Sequence, residues 1–295
     1  MIPCPPVSRV GIVAKHHLRE AAPHLADIAR WLDNRGVGAV FEAATAALCS
    51  PPASCPVRGK EALVAEVDMI LVLGGDGTLL SMADCIGEAG SAIPILGVNF
   101  GSLGFLTEVT LPELYPSLEA AITGRAHVEE RLMLRSITKR GSAPFAAHIA
   151  LNDVVITKTA RSRLINLSVS VGDELLTRVK GDGLIIATPT GSTAYNLAAG
   201  GPIVQPTVDA LIVTPIAPHT LTNRPIVIPA ASSVGVRPLM DDRDEAFVTF
   251  DGQAGFQLRP GDGITVCRAH SLLRLIRPST RSYFDVLRQK LKWGE

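Results

Sequence analysis

The sequence has no excess of charge of either sign, since 28 Lys and Arg residues balance 28 Asp and Glu residues. A protein that binds nucleic acid usually carries a basic excess or at least a basic stripe. The densest basic stretch here, KTARSR at residues 158–163, is short and is interpreted as a solvated loop. The charge balance therefore predicts no nucleic-acid partner.

Paired cysteines and long apolar runs are also missing. The five cysteines are odd in number and none are spaced as CxxC, which disfavours a disulfide framework or a zinc ribbon. No apolar run is long enough to cross a membrane, and Pro3, Pro5 and Pro6 interrupt the region where a secretory leader needs an apolar segment. These features predict a cytoplasmic protein with no membrane partner.

The chain is long enough for two globular domains, with 295 residues of which 47% are apolar. Short apolar runs alternate with helical patterns up to Gly124, which predicts an α/β domain with a parallel sheet over residues 1–124. Beyond that point β-branched runs and Pro/Gly punctuation predict a β-rich domain over residues 125–276. The amphipathic tail, residues 277–295, is expected to return to the first domain.

The same patterns predict individual elements. In the first domain the expected strands are 9–14, 38–41, 69–73 and 93–98, the expected helices are 18–34, 111–124 and one from about Thr78, and 50–59 is a loop. In the second domain the expected strands are 134–138, 154–157, 166–171, 184–187, 211–213, 226–228, 234–236, 247–250, 264–266 and 272–276.

A glycine-rich turn, Gly74-Gly75-Asp76-Gly77-Thr78, directly follows the apolar strand MILVL. Ligands usually bind at the carboxyl edge of a parallel sheet, where glycines let N–H groups approach phosphate oxygens and a helix N-terminus adds partial positive charge. Thr78 is the expected N-cap. Phosphates repel a carboxylate unless it binds Mg²⁺ or takes a proton from an attacking hydroxyl, so Asp76 indicates phosphoryl transfer. The alternative is an ordinary tight turn in which Asp76 caps the helix.

Two common nucleotide-binding motifs, GxxxxGK[ST] and GxGxxG, are absent from this region, so the first domain is predicted to be Rossmann-like without the dinucleotide fingerprint. A second turn, NFGSLGF at residues 99–105, follows the next strand and is expected beside the first turn. Asn99 and Ser102 are candidate hydrogen-bond donors there. The alternative is a loop whose Phe100 and Phe105 fill the core.

Two further clusters favour surface positions. His16 and His17 follow the first strand, where phosphate contact is possible, but a surface loop is the favoured interpretation. The acidic run at residues 241–245 is interpreted as a solvated turn rather than a metal site.

Residues 181–204, GDGLIIATPTGSTAYNLAAGGPIV, join an apolar strand to a dense run of hydroxyl and amide side chains. Such density beside several glycines is expected of a segment that wraps around a ligand. Asp182 is a candidate for binding a ribose hydroxyl or an amide NH₂ group, and Tyr195 is a candidate for stacking on a heterocycle. The alternative is a Ser/Thr-rich loop that hydrogen-bonds its own backbone.

Together these motifs resemble the NAD kinase family, in the form found in Gram-negative bacteria. The GGDGT turn is shared with diacylglycerol kinases, sphingosine kinases and 6-phosphofructokinases, whereas the run at 181–203 is highly specific. Further similar segments lie at 99–107, 151–156, 218–225, 251–253 and 282–293. The resemblance implies an α/β domain, a β-rich domain and a returning tail. It also implies a homodimer or homotetramer whose NAD site is completed by a neighbouring subunit.

The resemblance implies an activity: transfer of the γ-phosphate of ATP to the 2′-hydroxyl of the adenosine ribose of NAD⁺. Mg²⁺ or another divalent cation would assist, although the sequence does not identify its ligands. Asp76 would be the catalytic acidic residue, and the phosphate and ATP region would comprise Gly74, Gly75, Gly77 and Thr78. The implied NAD-binding residues are Asp76, Gly77, Phe100, Asn152, Asp153, Lys180, Asp182, Thr193, Ala194, Tyr195, Ala217 and Gln253.

Two positions depart from the family pattern or vary within it. Ala198 stands where the family often has Ser, so a hydroxyl contact is absent. Lys180 occupies a position associated with the choice between NAD⁺ and NADH, and lysine there favours NAD⁺. Two other functions fit the sequence less well. A lipid kinase would need an apolar entrance that no segment indicates, and a non-catalytic nucleotide-binding regulator would gain nothing from Asp76.

Overall fold

The computed structural model describes residues 2–101, 103–159, 164–220, 222–239, 245–277 and 281–294. Ser102, residues 160–163 of the basic stretch and residues 241–244 of the acidic run lie outside the described residues. The chain divides into two compact units. Unit 1 comprises Met1–Glu130 and Leu273–Glu295, and unit 2 comprises Arg131–Leu272.

The strands described are β1 (Ile2–Pro3), β2 (Arg9–Ala14), β3 (Gly38–Glu42), β4 (Val57–Arg58), β5 (Met69–Gly74), β6 (Pro94–Asn99), β7 (Val109–Thr110), β8 (His127–Arg140), β9 (Ala143–Ala150), β10 (Asp153–Lys158), β11 (Ile165–Val171), β12 (Glu174–Gly181), β13 (Gly183–Ala187), β14 (Ala210–Ile216), β15 (Ile226–Pro229), β16 (Val234–Pro238), β17 (Ala246–Phe250), β18 (Ala254–Leu258) and β19 (Asp262–Arg277). The α-helices are α1 (Ala22–Asp33), α2 (Ala43–Cys49), α3 (Lys60–Glu66), α4 (Asp76–Glu88), α5 (Leu114–Ile122), α6 (Tyr195–Ala198) and α7 (Tyr283–Leu291). Short 3₁₀ helices lie at Arg19–Ala21, Leu111–Glu113 and Thr190–Thr193.

Unit 1 is an α/β structure with a parallel sheet in the order β6-β5-β2-β3-β4, and the end of β19 also pairs with β6 in parallel. The prediction of a parallel sheet is therefore confirmed. Every residue of β5 is buried, as expected of a central strand in a sheet covered on its faces. Parallel pairing brings the carboxyl ends of β2, β5 and β6 to one edge, where Gly74 lies opposite Asn99.

Helix α1 buries Leu25, Ile28, Ala29 and Leu32, the spacing of an amphipathic helix. It begins at Ala22 rather than at the predicted residue 18, because a turn of 3₁₀ helix precedes it. Two short helices, α2 and α3, were not predicted, since seven residues give too few turns for a clear period. The expected loop at 50–59 contains β4, which pairs with the end of β3.

Unit 2 contains two antiparallel arrays of strands, in the orders β15-β14-β13-β10-β17-β18 and β12-β11-β16-β19. Side chains from both arrays share one apolar core, for example Ile186 and Val248 from the first and Leu167 and Val236 from the second. The predicted β-rich domain is thus confirmed.

Three details of unit 2 differ from the predictions. The strands expected at 264–266 and 272–276 are a single strand, β19. Strands β9, β12 and β18 were not predicted, because their mainly exposed or half-exposed residues form no apolar run. Lys158, predicted to begin a solvated loop, is the last residue of β10.

The tail helix α7 belongs to unit 1. It begins with a capping box, in which the Asp285 carboxylate accepts hydrogen bonds from the backbone N–H and hydroxyl of Ser282 at 2.9 and 2.7 Å. Leu287 is buried, whereas Phe284 and Trp293 remain about half exposed. No helix in the described part of the chain is long and apolar enough to cross a membrane.

Candidate active site

The glycine turn joins β5 to α4 without an intervening loop. Strand β5 ends at Gly74 and α4 begins at Asp76, so Gly75 is the N-cap and the prediction of Thr78 as N-cap was wrong. A Cβ on Gly74 would lie 2.8 Å from the Thr78 hydroxyl oxygen and 3.0 Å from the Cβ of Lys15. Glycine is therefore required at position 74 for this close approach. The first N–H groups of a helix have no acceptor within it, which suits a phosphate-binding turn.

The Asp76 carboxylate connects this turn to the second turn. Its Oδ1 accepts hydrogen bonds from the Leu106 N–H at 3.1 Å and from the N–H and hydroxyl of Thr107 at 3.0 and 2.9 Å. Its Oδ2 accepts one hydrogen bond, from the Phe105 N–H at 2.9 Å. A carboxylate oxygen has two lone pairs, so Oδ2 keeps acceptor capacity for a substrate hydroxyl. All four hydrogen bonds come from residues 105–107 and none from the N–H groups of α4, so Asp76 does not cap the helix as the alternative interpretation required.

The second turn is also held by its own polar groups. The Asn99 amide donates to the Thr107 hydroxyl at 3.0 Å and its carbonyl accepts from the Gly101 N–H at 2.6 Å. Asn99 is buried, and these bonds use one of the two N–H donors of its amide, so its role as a donor to a ligand stays a prediction. Phe100 is half-buried against the apolar core of unit 1, with its ring 5.7 Å from that of His24.

Glycine is obligatory at one further position of this turn. A Cβ on Gly104 would lie 2.1 Å from Asp76 Oδ1 and 2.4 Å from Thr107 Oγ1. The backbone of Gly104 thus lies so close to the Asp76 carboxylate that no side chain larger than hydrogen fits between them. The position of the Asp76 side chain depends on this contact.

A cavity of about 400 Å³ opens beside the glycine turn. Gly75, Gly77 and Thr78 line it together with Lys15 and His16, which follow β2. The sequence favoured a surface loop for His16, and the structure places this exposed ring in the cavity wall.

In unit 2, Asp251 organises the Asn152-Asp153 segment. Its carboxylate accepts hydrogen bonds from the backbone N–H groups of Leu151, Asn152 and Asp153 at 2.7, 2.7 and 3.0 Å. Its backbone has a φ of 51°, a left-handed conformation that is unusual for a residue other than glycine. Asp251 was not among the predicted site residues. The signal that pointed to it was its place in the similar segment at 251–253.

Asp153 is a buried carboxyl group. The pKa of Asp153 is raised from 3.8 to about 7, mainly by burial and to a lesser extent by the nearby Asp251 carboxylate. A group with this pKa changes its charge in the physiological pH range.

We expect the stability contributed by Asp153 to fall as pH rises. Between its unfolded pKa near 4 and its folded pKa of about 7, the folded state holds a proton that the unfolded state has released. This stabilisation is complete below about pH 4 and is lost as pH rises through about 7. Asp153→Asn, which resembles the protonated form, should flatten this decline in urea unfolding between about pH 5 and 8. The exposed Asp173, changed to Asn, is the control and should keep the parent's slope; a parental slope in Asp153→Asn contradicts the assignment.

The hydroxyl-rich run after β13 divides into two sets of residues. The buried members serve the loop itself: the Thr188 hydroxyl donates to the Leu151 carbonyl at 2.6 Å, and the Asn196 amide donates to the Ser192 carbonyl at 3.0 Å. Part of the run thus behaves as the alternative interpretation predicted, as a loop that hydrogen-bonds its own backbone. Thr193 and Ala194 are half-buried and Tyr195 is 44% exposed, so these residues remain accessible to a ligand.

This run packs directly on the Asn152 segment. A Cβ on Gly191 would lie 2.1 Å from the Asn152 carbonyl oxygen. Gln253 is exposed and follows Asp251 in the same turn. The structure therefore brings together, at one end of unit 2, the predicted residues Asn152, Asp153, Thr193, Ala194, Tyr195 and Gln253.

The other predicted residues of unit 2, Lys180, Asp182 and Ala217, lie at the other end of the β10–β13 pair. Asp153 lies opposite Ala187, whereas Asp182 precedes β13 and pairs with Lys158 at 3.0 Å. Five residues of β13 separate the two ends, about 17 Å at ~3.4 Å per residue. Lys180 is exposed, and its carbonyl accepts from His219 N–H at 2.8 Å.

Ala217 belongs to this second end. It is exposed and has a φ of 41°, and a Cβ on Gly181 would lie 3.0 Å from its carbonyl oxygen. Residues 180–182 and 216–219 are thus in close backbone contact. Within unit 2, the candidate NAD-binding residues form two separate groups.

Family models match most of the chain. Residues 10–126 match the ATP-NAD kinase N-terminal domain, and residues 151–278 match the ATP-NAD kinase C-terminal domain. Among curated relatives, the NAD kinases of Geotalea daltonii and Geobacter sulfurreducens are 45% and 46% identical, each over 98% of this chain and 100% of the relative.

Two solved structures are also similar to this chain. A yeast NADH kinase complexed with NADH has a TM-score of 0.89 at 26% identity and covers 98% of this chain and 89% of its own. An NAD kinase from Archaeoglobus fulgidus in complex with ATP has a TM-score of 0.77 at 24% identity, over 97% and 100% of the two chains, and shows the shared fold.

The chain combines a β-rich unit with an α/β unit that has a glycine turn and a carboxylate at the carboxyl edge of its sheet, which defines a kinase of the GGDGT type. This chain belongs to the NAD kinase family, in the form represented by Gram-negative bacteria. The family assignment excludes the lipid-kinase alternative.

Proposed function

We propose that this protein transfers the γ-phosphate of ATP to the 2′-hydroxyl of the adenosine ribose of NAD⁺, giving NADP⁺ and ADP. The family assignment supports this reaction. The observation that carries the mechanism is the Asp76 carboxylate, oriented by four hydrogen bonds at the start of α4. A secondary hydroxyl is a weak nucleophile at neutral pH, and a positioned carboxylate increases its reactivity by accepting its proton.

The proposed roles follow from the two motifs, the glycine turn and the hydroxyl-rich run. Asp76 accepts the proton of the attacking hydroxyl through Oδ2, and Gly74, Gly75, Gly77 and Thr78 bind donor phosphates through the start of α4. The proposed NAD-binding residues are Asp76, Gly77, Phe100, Asn152, Asp153, Lys180, Asp182, Thr193, Ala194, Tyr195, Ala217 and Gln253. The yeast relative complexed with NADH supports binding of a nicotinamide dinucleotide, and Lys180 is proposed to favour the oxidised form.

A divalent cation, Mg²⁺ or a similar ion, is proposed to accompany ATP. Among the described residues no group of three or more His, Cys, Asp or Glu side chains could hold a metal ion. Mg²⁺ in phosphotransferases commonly binds one or two carboxylates plus substrate phosphates, so the donor phosphates would supply most of its ligands at this site. When bound, the ion neutralises charge on the phosphates.

We also propose that the protein works in the cytoplasm as a homodimer or homotetramer. The two separate groups of NAD-binding residues in unit 2 are the arrangement expected if a second copy supplies one of them. Light scattering distinguishes dimer from tetramer.

The reaction is tested directly by supplying NAD⁺, ATP and Mg²⁺ and detecting NADP⁺ with an NADP-specific dehydrogenase. We expect NADP⁺ to accumulate in proportion to enzyme, and none to form without ATP. A protein that binds NAD⁺ but forms no NADP⁺ with any donor would instead be a nucleotide-binding regulator.

A further inference from the structure

The cavity beside the glycine turn has a basic wall. It lies where β2 and β3 end and where α3 and α4 begin. Besides the glycine turn, Lys15, His16 and Lys60 line it. Among its described lining residues only His16 has an aromatic ring, so the wall offers little surface on which a nucleobase could stack. Basic, non-aromatic lining suits a phosphate chain better than a base.

Lys60 occupies a position that helix stability does not explain. It is the first residue of α3, where the partial positive charge of the helix N-terminus opposes a cation. Its side chain is half-buried and its ammonium group donates to the hydroxyl of Ser81. Lys60 forms no ion pair with any residue in the described ranges. An ammonium group has three N–H donors, so this one retains donors for an anion.

Ser81 fixes the position of the Lys60 side chain relative to the glycine turn. It lies on α4 three residues after Thr78, and residues three apart share a face of a helix. Both side chains line the same cavity. The hydrogen bond to Ser81 therefore holds the Lys60 ammonium on the side of α4 that carries the phosphate-binding turn.

One acidic residue, Glu42, also borders the cavity. Its Oε2 accepts hydrogen bonds from the N–H and hydroxyl of Thr45 at 2.8 and 2.9 Å and so caps α2. Lys15 and Lys60 outnumber this single carboxylate, so the lining is net positive even when His16 is neutral. Such a lining attracts a polyanion.

We propose that this cavity binds the phosphate chain of the donor, and that Lys60, positioned by Ser81, contacts a phosphate that is not transferred. The inference rests on the proposed function and adds a binding residue that the glycine turn does not contain. Lys15 is the second cation of the same subsite. The positive wall binds the departing diphosphate as well as the incoming donor.

The test compares Lys60→Met with the parent protein, because methionine keeps an unbranched apolar stem and removes the charge. We expect the KM for ATP to rise about tenfold or more, as expected for loss of a charged hydrogen bond, while the KM for NAD⁺ changes less than about twofold. The Kd of inorganic tripolyphosphate, measured by calorimetry without NAD⁺, should rise in parallel. Lys60→Arg should retain most of the affinity. ATP and inorganic polyphosphate are offered separately, so that the source of the phosphate chain is identified.

Lys292→Met is the matched control, since Lys292 is exposed in unit 1 and does not line the cavity. Equal donor constants in Lys60→Met and Lys292→Met would overturn the proposal, and so would a parallel rise in both KM values with a lower Tm. If Lys60→Met does not fold, Lys15→Met takes its place. If the parent forms no NADP⁺ at all, the proposed reaction fails, while the tripolyphosphate titration still tests the cavity.

Discussion

Asp76→Asn should retain NAD⁺ binding and lose most turnover, with kcat lower by about 10²–10⁴-fold. The Asn carbonyl can occupy the Oδ1 position and accept from Leu106 and Thr107, so the second turn stays attached. The amide NH₂ in place of Oδ2 cannot accept a proton, and it also faces the Phe105 N–H. The substitution therefore removes the base while it leaves most of the local structure.

Three measurements separate these effects. Coupled assays give kcat, titration calorimetry gives the Kd for NAD⁺, and thermal unfolding gives Tm. Glu88→Gln, at the exposed end of the same helix, makes the same carboxylate-to-amide change and should keep parental kcat. Parental turnover in Asp76→Asn would refute the base role, and lost NAD⁺ binding with a large fall in Tm would show that Asp76 acts by holding the second turn.

Gly104→Ala should displace the Asp76 carboxylate without changing its chemistry. The new Cβ would lie 2.1 Å from Asp76 Oδ1, which is far inside contact distance, so the carboxylate or the turn must move. We expect at least a tenfold loss of kcat and a loss of about 1–3 kcal/mol in the free energy of unfolding, as is usual for an overpacked site. Urea unfolding and the coupled assay measure the two effects.

Gly38→Ala is the control for an added methyl group, because its nearest neighbour atoms lie 3.5 and 3.8 Å away. It should leave both kcat and stability close to parental values. The double variant Asp76→Asn/Gly104→Ala adds a further check. Since both changes act through one side chain, its kcat should be close to that of Asp76→Asn alone. Full multiplication of the two losses would mean that Gly104 acts elsewhere.

Local sequence patterns determined much of the architecture. The apolar run at 69–73 predicted a buried strand, and the glycines after it predicted the turn, because these properties depend on a few consecutive residues. The run at 181–203 carried the most specific part of the family resemblance, and it lies within the segment that matches the ATP-NAD kinase C-terminal domain. Short α2 and α3 and the half-exposed strands β9, β12 and β18 were missed, since neither type gives a periodic apolar signal.

Tertiary structure alone decided how the candidate site is held together. Asp76 is bound by residues 29 to 31 positions away, and Asp251 binds backbone 98 to 100 positions away. Most of these donors are peptide N–H groups, which every residue except proline carries, so no residue type marks them in the sequence. The sequence determined which carboxylates the chain has and the local turn at 74–78. Only the folded chain decided that Asp76 would be fixed by a distant loop and that Lys60 would lie beside Ser81, because both contacts require helices and turns to meet in space.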